Sequence, residues 1–213
     1  MMLPETLTAS FIVVCLTTFF AVNFYNLLRF HRGRRDVTVF TEIRRPKNFS
    51  LQLAAFGTLL FFLESILFSF LAFAGVTSPL QVFPLQLQFQ HDSYVQIVGI
   101  VLTGAGYFLF IWSVVARGRY AVSWAMSEDH KLVTRGPYRF VRHPSYLGYF
   151  LMFFGLFFTW LNLLAVFPLA AIPGYMQVAA REEELLIRRF GEEYVRYQRT
   201  TGRFLPKRRR KED

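Results

Sequence analysis

The sequence predicts an all-α, polytopic membrane protein with about five transmembrane helices, the fourth and fifth forming a helical hairpin. Three observations carry that prediction. The 213 residues are 54% hydrophobic and include 26 Phe, yet the net charge is +10. The apolar residues are gathered into blocks of the length needed to cross a bilayer, roughly 20 residues. All 24 Lys and Arg fall outside those blocks, in three segments.

The first apolar block covers residues 7–28, the second 49–74 and the third 93–116. The fourth, 146–180, is long enough for two spans and is interrupted by Asn162, Pro168 and Pro173. Leu161-Asn162 lies near its middle, so a tight turn is expected there, between two short or tilted helices. The basic segments test this layout. They run from Arg29 to Lys47, from Arg117 to Arg142 and from Arg181 to Lys211, whereas 75–92 and the Asn162 turn hold no Lys or Arg. Five spans put every basic segment on one side, and the positive-inside rule makes that side cytoplasmic, with the N-terminus outside. A single kinked fourth helix would place the last basic segment on the uncharged side. Residues 1–116 then form a three-helix N-terminal part. Residues 117–213 hold a loop, the hairpin and an amphipathic helix over 179–200, all in one integrated domain.

Composition excludes several classes. A soluble nucleic-acid-binding domain of this basicity would not need so much apolar residue, so no nucleic-acid partner is expected. With Cys15 the only cysteine, a disulfide framework and a cysteine-rich metal site are ruled out within the chain. The N-terminal MMLPETLTAS has neither a basic leader nor a small-residue cleavage site, so the first block reads as a retained helix. The basic run 207–211 reads either as a contact for anionic lipid or as a solvated end. Glu64 is the one acid in the apolar centre of a span, open to a structural or a substrate-channel role.

Two segments concentrate the chemistry. Residues 130–148, HKLVTRGPYRFVRHPSYLG, set donors, rings and turn formers just before a membrane helix. Gly136-Pro137 marks a turn, and Pro144 suits a first helical turn, where its missing N–H costs nothing. Such a helix start would receive a carboxylate or phosphate beside Arg142 and His143. The plainer reading is a capped helix behind a basic interfacial loop. The second segment, REEELLIRRFGEEY over 181–194, carries Glu182, Glu183 and Glu184 where the fifth helix leaves the bilayer. Neighbours on a helix point about 100° apart, so at most two of the three face inward.

Together, HKLVTRGPY, RHPSYLG, Glu182-Glu183, FGEEY and Arg203-Phe-Leu-Pro resemble the isoprenylcysteine carboxyl methyltransferase family over residues 119–206. The wider group includes phospholipid N-methyltransferases and membrane sterol reductases. The resemblance implies a cytoplasmic pocket for S-adenosylmethionine, leaving S-adenosylhomocysteine as product, and a lipophilic acceptor entering from the bilayer. It implies that His130, Lys131, Leu132 and Val133 contact the adenosine, with Tyr138 packed nearby. It places His143 and Tyr146 at the methionine end, with Pro144 and Ser145 in the same turn, and Glu182 at the amino group. The family's substrate arginine falls on Val178 here, which leaves Arg181, beside Glu182, as the nearest replacement. A family glutamine falls near Ser123. No metal is implied. The rival readings are an NADPH-dependent reductase of the sterol type, drawing on Arg135, Arg139 and Arg142, and a scaffold without a cofactor.

Overall fold

The computed structural model describes residues 3–33, 40–42, 49–76, 85–88, 92–118, 125–127 and 131–207. Its helices are α1 (Glu5–Gly33), α2 (Phe49–Phe73), α3 (Asp92–Arg117), α4 (Pro144–Trp160), α5 (Ala171–Phe190) and α6 (Glu192–Thr200). Among the described residues, four stretches are long and apolar enough to cross a membrane: Glu5–Leu28, Phe49–Phe73, Asp92–Arg117 and Leu163–Phe190. Helix α4 has 17 residues, about 26 Å at 1.5 Å per residue, the short apolar helix that the sequence anticipates before the Asn162 turn. The protein is an integral membrane protein.

Each boundary has a local cause. Pro144 stands at the first turn of α4, with His143 as its N-cap. The helix ends at Leu161, whose φ of 53° is left-handed. Asn162 then accepts from the Leu164 N–H at 2.9 Å and opens a 3₁₀ segment, Leu163–Ala170, that runs straight into α5. The hairpin expected at Leu161-Asn162 is therefore present. It is stitched from outside, since Leu87 donates to the Leu161 carbonyl at 2.7 Å and Leu163 donates to the Leu85 carbonyl at 2.8 Å.

One expectation needs correcting. The amphipathic helix anticipated over 179–200 is two helices, because Gly191 takes a φ of 53° and ends α5. Only glycine adopts that conformation at little cost.

Helix α3 packs antiparallel on α4, and small residues bring the backbones together. A Cβ on Gly106 would meet the Gly148 carbonyl at 2.7 Å, and one on Gly148 would meet Phe110 N at 3.1 Å. Gly99 faces Thr159 and Gly155 faces Thr103 in the same register. Close approach of this kind supplies van der Waals contact where lipid provides no hydrophobic drive. Helices α2 and α5 repeat the device, with Gly57 against Ala171 and Gly174 against Ala54. The core between the helices holds Ile12, Phe19, Phe61, Phe110, Met152 and Phe153. Outward faces expose Phe20, Phe24, Phe56, Phe70, Val101 and Phe108, as a lipid-facing surface requires. Glu64 is buried in α2, and its Oε2 has no hydrogen-bond partner among the described residues.

The strands β1 (Phe40–Glu42) and β2 (Ala125–Ser127) pair antiparallel, a small departure from an all-α chain. They join the segment after α1 to the segment after α3, so both lie at the same end of the bundle. Residues 141 and 202 bridge at that end too.

Candidate functional site

A 3₁₀ turn, Gly136–Arg139, precedes the site and buries Pro137 and Tyr138. The chain then runs extended alongside the C-terminal segment. Arg142 N donates to the Gly202 carbonyl at 2.8 Å, and His143 N to the Arg203 carbonyl at 3.1 Å. The Tyr197 hydroxyl donates to the Tyr138 carbonyl. These bonds hold the start of α4 against α6 and the residues that follow it.

At the centre lie two adjacent carboxylates in different circumstances. Glu183 is buried and is met from several sides. Arg142 Nε donates to its Oε1 at 2.9 Å, Arg203 donates to Oε2 at 2.7 Å, and Gln198 Nε2 donates to Oε2 at 3.1 Å. His143 Nε2 stands 3.1 Å from Oε1. The bond from Arg203 to Glu183 raises the guanidinium pKa further. Arg142 also donates to the carbonyls of Gln198 and Thr201. The donors of Arg142 thus serve Glu183 and the C-terminal backbone, beside the helix start at which the sequence suggests an anion would be received.

Glu182 has a different setting. The Tyr146 hydroxyl donates to its Oε1 at 2.6 Å, and His143 Nδ1 lies 3.6 Å from Oε2. Its side chain keeps 24% of its surface exposed. One carboxylate is enclosed by chain donors, and its neighbour opens to the outside. The His143 and Tyr146 rings are parallel with centroids 5.6 Å apart, and Tyr175 continues the file 4.8 Å from Tyr146. Phe204 covers His143 and Phe150. Tyr194 and Tyr197 lie on α6 beneath, and burial pushes both hydroxyls well above the usual phenol range.

The other wall belongs to α3. Ser113 Oγ and Ser145 Oγ are 2.7 Å apart, and Arg117 donates to Ser145 Oγ at 3.1 Å.

Of the residues singled out in the sequence, the structure gathers Tyr138, His143, Pro144, Ser145, Tyr146 and Glu182 at this end of the bundle. Lys131 is exposed, and Leu132 and Val133 are half-buried. His130 and Ser123 lie outside the described residues, as does most of the basic run 207–211. Val178 is buried against Tyr146 and Tyr175, while Arg181 is half-buried. Sequence reasoning missed the hub at Glu183, the wall of Ser113 and Arg117, and the ring of Tyr175.

Residues 94–193 match the phospholipid methyltransferase family model. The chain is 36% identical over 90 residues to a protein-S-isoprenylcysteine O-methyltransferase of Tribolium castaneum, covering 41% of this chain and 32% of that protein. It is 33% identical over 89 residues to the protein of that name from Schizosaccharomyces pombe, covering 41% and 38%. A probable protein-S-isoprenylcysteine O-methyltransferase of Oryza sativa subsp. indica is 27% identical over 187 residues, 85% of this chain and 87% of the relative. The chain is similar to proteins named isoprenylcysteine methyltransferases. Against the first two relatives the match reaches well under half of their own length, whereas the rice protein matches almost throughout. The stretch that fits the family model runs from α3 to the start of α6. It contains both carboxylates, His143, Tyr146 and the Arg117 wall, and the spans α1 and α2 lie outside it.

Proposed function

We propose that the chain is an S-adenosylmethionine-dependent methyltransferase acting on a membrane-embedded lipophilic acceptor, by carboxyl methylation of an isoprenylcysteine-like compound. The observation that carries this reading is the half-open carboxylate of Glu182, held by Tyr146 beside His143 at the first turn of α4. The residues fit the cofactor. Its methionine end needs an acceptor for an ammonium and donors for a carboxylate. Glu182 supplies the first, and the start of α4, with its N–H groups and positive dipole end, supplies the second. Tyr138 and the segment Lys131 to Val133 would line the adenosine. The cofactor supplies a methyl group already activated by its sulfonium. An ionised carboxylate acceptor needs no general base, so the chain's task is to align the partners and exclude water. The covered His143 and the ring file Tyr146–Tyr175 serve that exclusion.

In this reading the site end of the bundle faces the cytoplasm and the N-terminus lies outside. The acceptor's tail enters between helices from the bilayer, and the basic residues beyond Lys207 rest on anionic lipid. Phospholipid N-methylation is the second reading, favoured by the family model's own description. An amine acceptor would have to lose a proton, and Glu182 would be its base.

The test is titration of the detergent-solubilised protein with S-adenosylhomocysteine and, separately, with NADPH. A methyl-transfer assay with labelled S-adenosylmethionine against a lipid extract and a small prenylcysteine follows. Saturable binding of S-adenosylhomocysteine and label in the prenylcysteine are expected. Binding of NADPH alone would replace the methyltransferase with a reductase, and label in phospholipid alone would move it to the second reading.

A further inference from the structure

The cations around the site divide into two sets. Arg142 and Arg203 close on Glu183. Arg117 comes from the opposite wall, as the last residue of α3. The register of α3 on α4 sets Phe110 against Gly148 and Ser113 against Ser145. One turn further along α3, the backbone of Arg117 is level with about Val141. Its guanidinium nevertheless donates to Ser145 Oγ at 3.1 Å, one turn deeper along α4.

An arginine at the edge of a span ordinarily extends its head toward water. This one points back along α3, beside the buried hydroxyls of Ser113 and Ser145. A guanidinium in such low-dielectric surroundings attracts a carboxylate through paired N–H donors and repels an ammonium. The Ser145 hydroxyl that it meets stands in the first turn of α4, next to Tyr146, which holds Glu182.

We propose that Arg117 determines acceptor specificity: it binds the anionic head of the membrane-embedded acceptor, so that this chain selects a carboxylate over a neutral or amine head group. The proposal rests on the methyltransferase reading and deepens it. It also supplies, from α3, the cation that position 178 lacks.

The test compares three ligands with one tail: N-acetyl-S-farnesylcysteine, its carboxamide, and S-farnesylcysteamine. Binding is measured on the solubilised full chain saturated with S-adenosylhomocysteine, for the wild type, Arg117→Gln and Arg117→Lys. The wild type is expected to bind the acid at least about tenfold tighter than the amide, as a charge-assisted pair would give, and the amine most weakly. In Arg117→Gln the acid-to-amide ratio falls to about one, while the affinity for S-adenosylhomocysteine stays within about twofold. Arg117→Lys restores part of the preference. A wild type that binds acid and amide alike, or binds neither, overturns the proposal, as does a preference that survives in Arg117→Gln. Loss of S-adenosylhomocysteine binding in Arg117→Gln with the preference intact assigns the arginine to the cofactor instead. A wild type that does not bind S-adenosylhomocysteine at all defeats the underlying reading, which is a separate outcome.

Discussion

Glu183 accepts from Arg142, Arg203 and Gln198, whereas Glu182 is held by Tyr146 and keeps part of its surface open. Removing one member of a buried ion network leaves the others uncompensated, at a cost of about 3–5 kcal/mol. Glu183→Ala should therefore lower the melting temperature of the solubilised protein steeply. Glu182→Ala should melt close to wild type and weaken S-adenosylhomocysteine binding by more than about tenfold, the loss expected for a charge-assisted bond. Equal melting of the two variants would show that Glu183 is not the anchor. His143 touches both carboxylates, so His143→Ala should lose cofactor affinity while the protein remains inserted. Ligand titration on purified membranes checks this, and unchanged affinity would remove His143 from the pocket. At this scale the sequence carried His143, Tyr146 and Glu182 through the motifs that they stand in. It could not carry Glu183, because Gln198 and Arg203 reach it only after the chain has turned at Gly191 and folded back along Arg142.

Helix positions were legible wherever an apolar run met a charge or a proline. The limits of α2 and α3 match the runs to within a residue, and Pro144 opens α4 as its chemistry suggests. The left-handed Leu161 was not legible in itself, since leucine disfavours that conformation by about 1–2 kcal/mol. The turn is imposed by tertiary pairing with residues 85–87. Gly191 was passed over because the pattern of charges continues across it. The contact between α3 and α4 permits a sharp comparison. Gly106→Leu would drive a side chain into the Gly148 carbonyl and Met152, and overpacking of that kind costs at least about 1–3 kcal/mol. Gly104→Ala would meet the ring tip of Phe11 at 3.2 Å, which can move aside. Thermal unfolding in detergent should separate the two, with Gly106→Leu much the less stable. Similar melting would mean that the helices are not in this register.

Across the whole molecule, charge distribution made the architecture legible, since among the described residues Arg117, Arg142 and Arg203 gather at one end of the bundle, and Leu85, Leu87 and the Asn162 turn, away from any Lys or Arg in sequence, pair at the other. Orientation is tested with a protease-cleavable tag after Asp213, which should be cut in inverted membrane vesicles and protected in right-side-out ones. The opposite pattern would place the site outside. The pairing of β1 with β2 was hidden, because three-residue strands within polar loops leave too short an alternation to read. The enclosure of Glu183 bears on how the protein is made. Arg142 is synthesised before Glu183, but Gln198 and Arg203 emerge only after the last span has been translated, and chains are made at about 5–20 residues per second. During that interval the nascent bundle carries a carboxylate near the membrane surface with half of its partners missing. A chain released before Gln198 would stay in that state, with an uncompensated carboxylate that destabilises its fold. Nonsense changes between Gly191 and Arg203 should therefore lower the amount of protein in the cell as well as its activity, although every span has already been inserted.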